Sequence, residues 1–236
     1  MEPVTDAEVG YWDEWNARHR QPDGLDQVPL DQARAVHRAV RGLDRTDLRL
    51  LDIGCGTGWL VDQLVDYGEA TGIDISRDVI TRARQRTPAA TFISGDILVE
   101  RLPARSFDVI VSLETLPHVS DQEAFMRELA RLIVPGGLIV VAAQNAAVLG
   151  KHGRFPPQDP RARHERPTPQ RLRELAGLAG DVVAVRTITP QGDASWRRVF
   201  TSKKLRDLLG PLGIRWHRHL ERRGWGRTLV AEIRGR

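Results

Sequence analysis

Cysteine is nearly absent from this chain, with Cys55 alone among 236 residues. One thiol cannot build a disulfide framework, a thiolate metal cage or an iron-sulfur cluster, which excludes stapled secreted scaffolds and cluster-based radical chemistry. Lysine is almost as scarce, occurring only as Lys151, Lys203 and Lys204, so the net charge of +4 is carried by arginine. Most of those arginines are scattered along the chain, the pattern of a compositional bias rather than of a nucleic-acid face. The exception is 196–236, where Arg197, Arg198, Lys203, Lys204, Arg206, Arg215, Arg218, Arg222, Arg223 and Arg227 gather. That stretch reads either as a solvated helical face or as a feature favouring an anionic small molecule. No apolar run is long enough to cross a bilayer. The acidic opening, Met1-Glu2-Pro3-Val4-Thr5-Asp6, has no apolar core behind it, so a secretory signal is not expected and a cytoplasmic location is. With no repeats and 41% hydrophobic residues, 1–236 is expected to form one domain.

What is present is an alternation of two periodicities. Arg49-Leu50-Leu51-Asp52-Ile53 is an apolar run stopped by Gly54, after which Leu60, Val61, Leu64 and Val65 recur at helical spacing. Residues 70–74, 91–94 and 107–112 read as further strands, and 78–86 and 121–132 as helices. Pro135-Gly136-Gly137 is a turn signal ahead of Leu138-Ile139-Val140-Val141-Ala142-Ala143, an unbroken apolar run suited to a strand covered on both faces. Helix 169–178, strand 182–188 and a final edge strand at 228–233 follow. Strands that alternate with crossover helices imply an α/β, doubly wound, mostly parallel sheet with helices on both faces. Residues 46–143 form its core. Ahead of it, 1–45 is expected to supply lid helices, and behind it 144–236 an acceptor-side lid and the last strands. Residues 150–168, rich in Pro, Arg and His, read equally as a lid or a disordered insert.

Gly54, Gly56 and Gly58 follow a buried strand and open a helix, so the backbone can turn sharply and approach a ligand without Cβ obstruction. A nucleoside fits such a turn. The dinucleotide fingerprint G-x-G-x-x-G needs its third glycine where this chain has Trp59, and the phosphate-loop pattern lacks its lysine, so both are disfavoured. Asp74 ends the second strand about 20 residues on, where a carboxylate can accept both hydroxyls of a ribose. Asp96 follows the third strand and can accept from an exocyclic amine such as that of adenine. Either aspartate alone reads better as a cap or turn residue. In order, at successive strand ends beside a glycine loop, they read as a site.

Leu51-Asp52-Ile53-Gly54-Cys55-Gly56-Thr57-Gly58, Gly72-Ile73-Asp74-Ile75-Ser76, Gly95-Asp96, Phe107-Asp108-Val109-Ile110 and Leu132-Ile133-Val134-Pro135-Gly136-Gly137 resemble the successive motifs of the class I S-adenosylmethionine (SAM) dependent methyltransferases, over about 48–143. The resemblance implies a seven-stranded Rossmann-like sheet with SAM as cofactor and S-adenosylhomocysteine as product. It places the methionine moiety over Gly54, Cys55 and Gly56, the ribose on Asp74 and the adenine between Ile75, Asp96 and Ile97. Within the superfamily the chain looks most like small-molecule methyltransferases, including ubiquinone-pathway O-methyltransferases and relatives from natural-product biosynthesis.

The same resemblance sets Leu113 and the following Glu114-Thr115-Leu116-Pro117-His118 beside the sulfonium. A comparable stretch holds a metal in some relatives, but Pro117 stands here in place of the middle ligand, so no metal is expected. His118, with Glu114 beside it, is the candidate catalytic group, since histidine's ordinary pKa suits deprotonation of a hydroxyl at neutral pH. A histidine packed to shape the site reads equally well. Upstream, Tyr11, Trp12, Trp15 and Arg18 fall within two helical turns. Trp12 can lay an aromatic face near a sulfonium and Arg18 can pair with a carboxylate, while Tyr11 and Trp15 are candidates for the acceptor. Gln144 and Asn145, past the fifth strand, and His152 in the lid complete the substrate-side set. The expected activity is O-methylation of a small, possibly anionic acceptor by in-line displacement. Two rivals stand beside it: a tRNA or rRNA methyltransferase, for which no appended RNA-binding signature is visible, and a SAM-binding protein acting as regulator or cyclisation catalyst.

Overall fold

The computed structural model describes residues 5–19, 27–149, 164–191 and 199–236, with only the helical backbone given for Asp6, Ala17, Arg18, His19 and Lys203. Two helices, α1 (Asp6–His19) and α2 (Gln27–Arg41), precede the sheet. The strands are β1 (Leu48–Ile53), β2 (Gly68–Asp74), β3 (Thr91–Ser94), β4 (Phe107–Leu113), β5 (Ile133–Gln144), β6 (Asp181–Pro190) and β7 (Gly226–Arg234). Between them lie α3 (Val61–Leu64), α4 (Arg77–Arg86), α5 (Gln122–Leu132), α6 (Ala146–Leu149), α7 (Pro169–Ala179), α8 (Lys203–Leu208) and α9 (Gly210–Arg222).

The seven strands form one sheet in the order β3-β2-β1-β4-β5-β7-β6. The first five run parallel, and β7 is antiparallel to both β5 and β6. The strand order reverses between β1 and β4, and a crevice at the carboxyl ends of such a pair is where open α/β sheets bind ligands. Side-chain alternation supplies a core on each face. Leu51, Ile53, Ile110, Ile139, Val141, Leu229 and Ala231 pack with α5 and α7. Leu48, Leu50, Val109, Val111, Val140, Ala142 and Val230 pack with α2, α3 and α4. The helices are locally specified too. Asp121 caps α5 by accepting from the Ala124 amide at 2.8 Å, and Phe125, Met126, Leu129 and Leu132 on its inner stripe are fully buried. Each such side chain contributes about 1.5–3 kcal/mol.

Four features differ from the sequence reading. The last strand is not at the edge: β7 is inserted between β5 and β6, because Leu229, Val230 and Ala231 are buried on both faces, and β6 with its exposed Val183 takes the edge. Pro135-Gly136-Gly137 is not a turn before β5 but an irregularity inside it, where Gly136 adopts φ +76° and the register with β4 shifts. The helix after the glycine loop is one turn, α3, continued by a single 3-10 turn over Val65–Tyr67. Helix α2 is no lid, since Ala33, Ala35, Val36 and Val40 are buried in the sheet's core. Of the expected 150–168 lid, 150–163 lie outside the described residues, and 164–168 run irregularly into α7.

Candidate cofactor and acceptor site

The loop leaving β1 needs its glycines. Gly54, Gly56 and Gly58 sit at φ +76°, +53° and +73°, the left-handed region that side-chain-bearing residues avoid. At Gly54 the need is doubled, because a Cβ there would stand 1.9 Å from Thr115 Oγ1. The loop is tied to the end of β2: the Gly54 and Cys55 amides donate to the Ile73 carbonyl at 2.8 and 3.1 Å. The Gly56 amide donates to Asp74 Oδ2 at 2.9 Å and the Ser76 amide to Asp74 Oδ1 at 3.0 Å. Cys55 is buried against Gly72, where a Cβ would come within 2.8 Å of its Sγ, so its side chain belongs to the packing beneath the loop.

Asp74 and Asp96 occupy adjoining strand ends. Asp74 pairs in register with Ser94, and the Gly95 amide donates to the Asp74 carbonyl at 3.0 Å. Asp96 Oδ1 accepts from the Leu98 amide at 2.9 Å, and both carboxylates remain part-exposed. Ile75 is half-buried and Ile97 buried beside them. A cleft rimmed by left-handed glycines and two reachable carboxylates has the donor and acceptor set that an adenosyl group needs.

The segment after β4 turns abruptly. Glu114 holds φ +62°, strained for a non-glycine residue, while its amide donates to the Ala142 carbonyl of β5 at 2.9 Å. Thr115 Oγ1 donates to the Ile53 carbonyl at 3.0 Å, so this segment rests directly on the glycine loop. The Leu116–His118 3-10 turn then places His118 between two rings, Trp12 of α1 and His164, each with its centroid 4.5 Å away and nearly edge-on. Helix α1 is held down a second time, by the Ser76 hydroxyl donating to the Asp13 carboxylate. Tyr11 and Trp15 pack against Trp12, with centroids 5.1 and 5.8 Å away.

Sequence reading missed a polar group at the carboxyl ends of β4 and β5 and the adjacent start of β7. Gln32 of α2 donates to Glu114 Oε1, and Arg166 Nε donates to Gln144 Oε1 at 2.6 Å, with His164 Nε2 3.3 Å from the same oxygen. Burial pushes the Glu114 carboxyl above its ordinary range, opposed by the Gln32 hydrogen bond and by the charges of Arg227 and Arg166. Burial, aided by the charges of His118 and Arg166, pushes His164 down to about 4. Glu114 Oε2 and Arg227 Nε are buried without a hydrogen-bond partner among the described residues. Glu114 and Gln144 were legible as strand-end residues. Arg227 was not, since only the insertion of β7 beside β5 brings it there.

Not every expected residue reaches the cleft. Asn145 is fully buried, its Nδ2 donating to the Gly226 carbonyl at 2.9 Å and its Oδ1 accepting from the Ala147 amide at 3.0 Å. It ties β5 to β7 and has no side-chain surface to offer an acceptor, which corrects the sequence expectation. The Arg18 side chain and His152 lie outside the described residues. Among the described residues no three His, Cys, Asp or Glu side chains are grouped to hold a metal ion.

Comparison with known proteins agrees with this fold. Residues 51–141 match the methyltransferase domain family. A 2-methyl-6-phytyl-1,4-hydroquinone methyltransferase of Synechocystis is 43% identical over 101 residues, 41% of this chain and 32% of that protein, so the match spans about a third of that relative's length. A ubiquinone biosynthesis O-methyltransferase of Caulobacter is 35% identical over 200 residues, covering 79% of this chain and 69% of that protein. In three dimensions, a SAM-dependent methyltransferase of Mesorhizobium loti superposes with a TM-score of 0.59 at 21% identity, over 84% of this chain and 96% of that one. Domain, fold and relatives together identify the chain as an enzyme belonging to the class I S-adenosylmethionine-dependent methyltransferases.

Proposed function

We propose that the chain methylates an oxygen of a small-molecule acceptor, with an aromatic hydroxyl as the acceptor class. The observation that carries the reading is the contact between the two loops. Thr115 lies against Gly54, so the Glu114–His118 segment and its polar surroundings begin where the glycine loop ends. A donor methyl held over the loop would face that group. The relatives' names support a small-molecule acceptor, one being a 2-methyl-6-phytyl-1,4-hydroquinone methyltransferase, and the ubiquinone biosynthesis O-methyltransferase is the one whose name specifies oxygen.

SAM supplies an activated methyl on a sulfonium when bound; the protein supplies binding, alignment and a path for the proton. Gly54, Cys55 and Gly56 would carry the methionine portion along the backbone, Asp74 would accept from the ribose hydroxyls, and Ile75, Asp96 and Ile97 would enclose the adenine. Leu113 and Trp12 would border the sulfonium, and Tyr11 and Trp15, packed on Trp12, would continue that aromatic wall toward the acceptor. His118 takes the hydroxyl proton, its ring fixed between Trp12 and His164. Glu114 and Gln144, backed by Arg166 and Arg227, orient the acceptor's polar end, and the two unpartnered buried atoms mark where its groups would bond. Holding oxygen and methyl in line in a water-poor cleft supplies much of the acceleration.

The test is S-adenosylhomocysteine release with a panel of phenols, hydroquinones, carboxylates, amines and RNA. Turnover confined to hydroxyl acceptors supports the reading; turnover only with amines or with RNA overturns it. In His118→Ala, turnover should fall about 10²–10⁴-fold with SAM affinity unchanged. Unchanged turnover would leave His118 as a packing residue.

A further inference from the structure

We propose that the α8–α9 face docks the enzyme on an anionic lipid surface. These two helices fill the connection between β6 and β7, and they carry apolar side chains where a soluble surface has no use for them. Leu208 is 82% exposed and Leu212 68%, with Leu209, Phe200 and Trp216 exposed next to them. Its parts are linked: the Phe200 and Trp216 rings lie 6.3 Å apart, Trp216 Nε1 donates to the Phe200 carbonyl at 3.2 Å, and Leu212 stands one helical turn before Trp216 on α9. It is not the helix's inner face, for Gly213, His217 and Leu220 are the residues α9 buries. Single exposed leucines are ordinary; a contiguous group of leucines and aromatics is not.

Charge decides the occupant. Over 199–223 the chain has seven lysines and arginines against two acids, and Lys204, Arg215, Arg218, Arg222 and Arg223 are exposed beside the apolar patch. A second copy of the chain would set this basic face against its own image, which disfavours self-association. Nucleic acid would use the arginines but leave Leu208 and Leu212 without a role. An anionic bilayer uses both: leucines and tryptophan enter the acyl boundary while arginines meet the headgroups. Among the described residues no helix is long and apolar enough to span a membrane, so the contact is a lying-on. The connection leads directly into β7, whose second residue is Arg227 of the polar group at the cleft. The proposal does not depend on which acceptor is methylated.

The experiment is flotation of the whole chain with vesicles of phosphatidylcholine alone and of an equal mixture with phosphatidylglycerol, at low and high salt. The double variant Leu208→Glu, Leu212→Glu is run beside it. Both leucines are exposed, so folding and S-adenosylhomocysteine binding should be unchanged, which calorimetry checks and which keeps this test separate from the acceptor assignment. The wild type should float with the mixed vesicles, less so at high salt, and the double variant should partition at least about tenfold more weakly. No flotation at low salt, or equal flotation of the variant, overturns the proposal. So does a wild-type dimer that the variant dissolves without any vesicle binding.

Discussion

Both oxygens of Asp74 already accept backbone amides, from Gly56 and Ser76, so this side chain shapes the loop in addition to its proposed role as ribose anchor. Asp74→Ala should weaken SAM binding by about 1–3 kcal/mol, the range for hydrogen bonds to a charged group. Titration calorimetry reads this directly, and an unaltered affinity would remove the ribose role. His164 makes a different kind of prediction. Its folded-state pKa lies near 4, below histidine's ordinary value, so the unfolded chain binds more protons between about pH 6.5 and 4. Stability should therefore fall as pH drops through that window, and His164→Gln should flatten the fall. His217, pushed down by burial, acts in the same direction and would leave a residual slope. Thermal melts across pH 4–7 compare the two proteins, and superimposable slopes would count against a neutral, buried His164. The site was partly legible for a physical reason. Asp74, Asp96, Glu114 and Gln144 announce themselves as polar residues ending apolar runs, whereas Gln32, Arg166 and Arg227 join them only through long-range packing that local spacing does not encode.

Among the elements, β4 is anchored at its far end from the cleft. Asp108 accepts from the Arg49 amide and Nε, both at 3.0 Å, and from Arg45 Nη1 at 3.1 Å, binding the start of β4 to that of β1. Burial pushes its carboxyl up, but the Arg49 amide and the two guanidiniums together hold it below the ordinary range. Its stabilisation is thus present above about pH 4 and lost as pH falls through the lowered value. Asp108→Ala should cost about 2 kcal/mol, seen in denaturant melts, because it takes the acceptor from a strand-end amide and removes two guanidinium contacts at once. The parallel strands were legible because β1, β4 and β5 are buried on both faces and bounded by turn residues. The place of β7 was not, since its residues suit an edge and an interior position alike until β5 and β6 compete for it. The place of helix α2 in the core was missed for a related reason: alanines supply much of its buried stripe, and alanine gives a faint hydrophobic period.

For the molecule as a whole, the two ends of the sheet should respond differently to ligand. The carboxyl ends of β1, β2 and β4 build the cleft, and the amino ends, around Asp108, only hold the strands together. On the proposed reading S-adenosylhomocysteine would bind the assembled cleft and not the unfolded chain, so at a hundredfold excess over its dissociation constant it should add about 2.7 kcal/mol. For a domain of this size that raises the melting temperature by about 5–10 °C. Asp108→Ala should melt lower yet keep the full ligand-induced rise, because its defect lies at the opposite edge. Asp74→Ala should lose about half of that rise at the same ligand concentration if its affinity falls about tenfold. A thermal-shift series on the three proteins reads both effects together. Equal rises in all three would mean that the ligand is not held at the end of β2, and a rise lost in Asp108→Ala would mean that the two edges of the sheet are coupled.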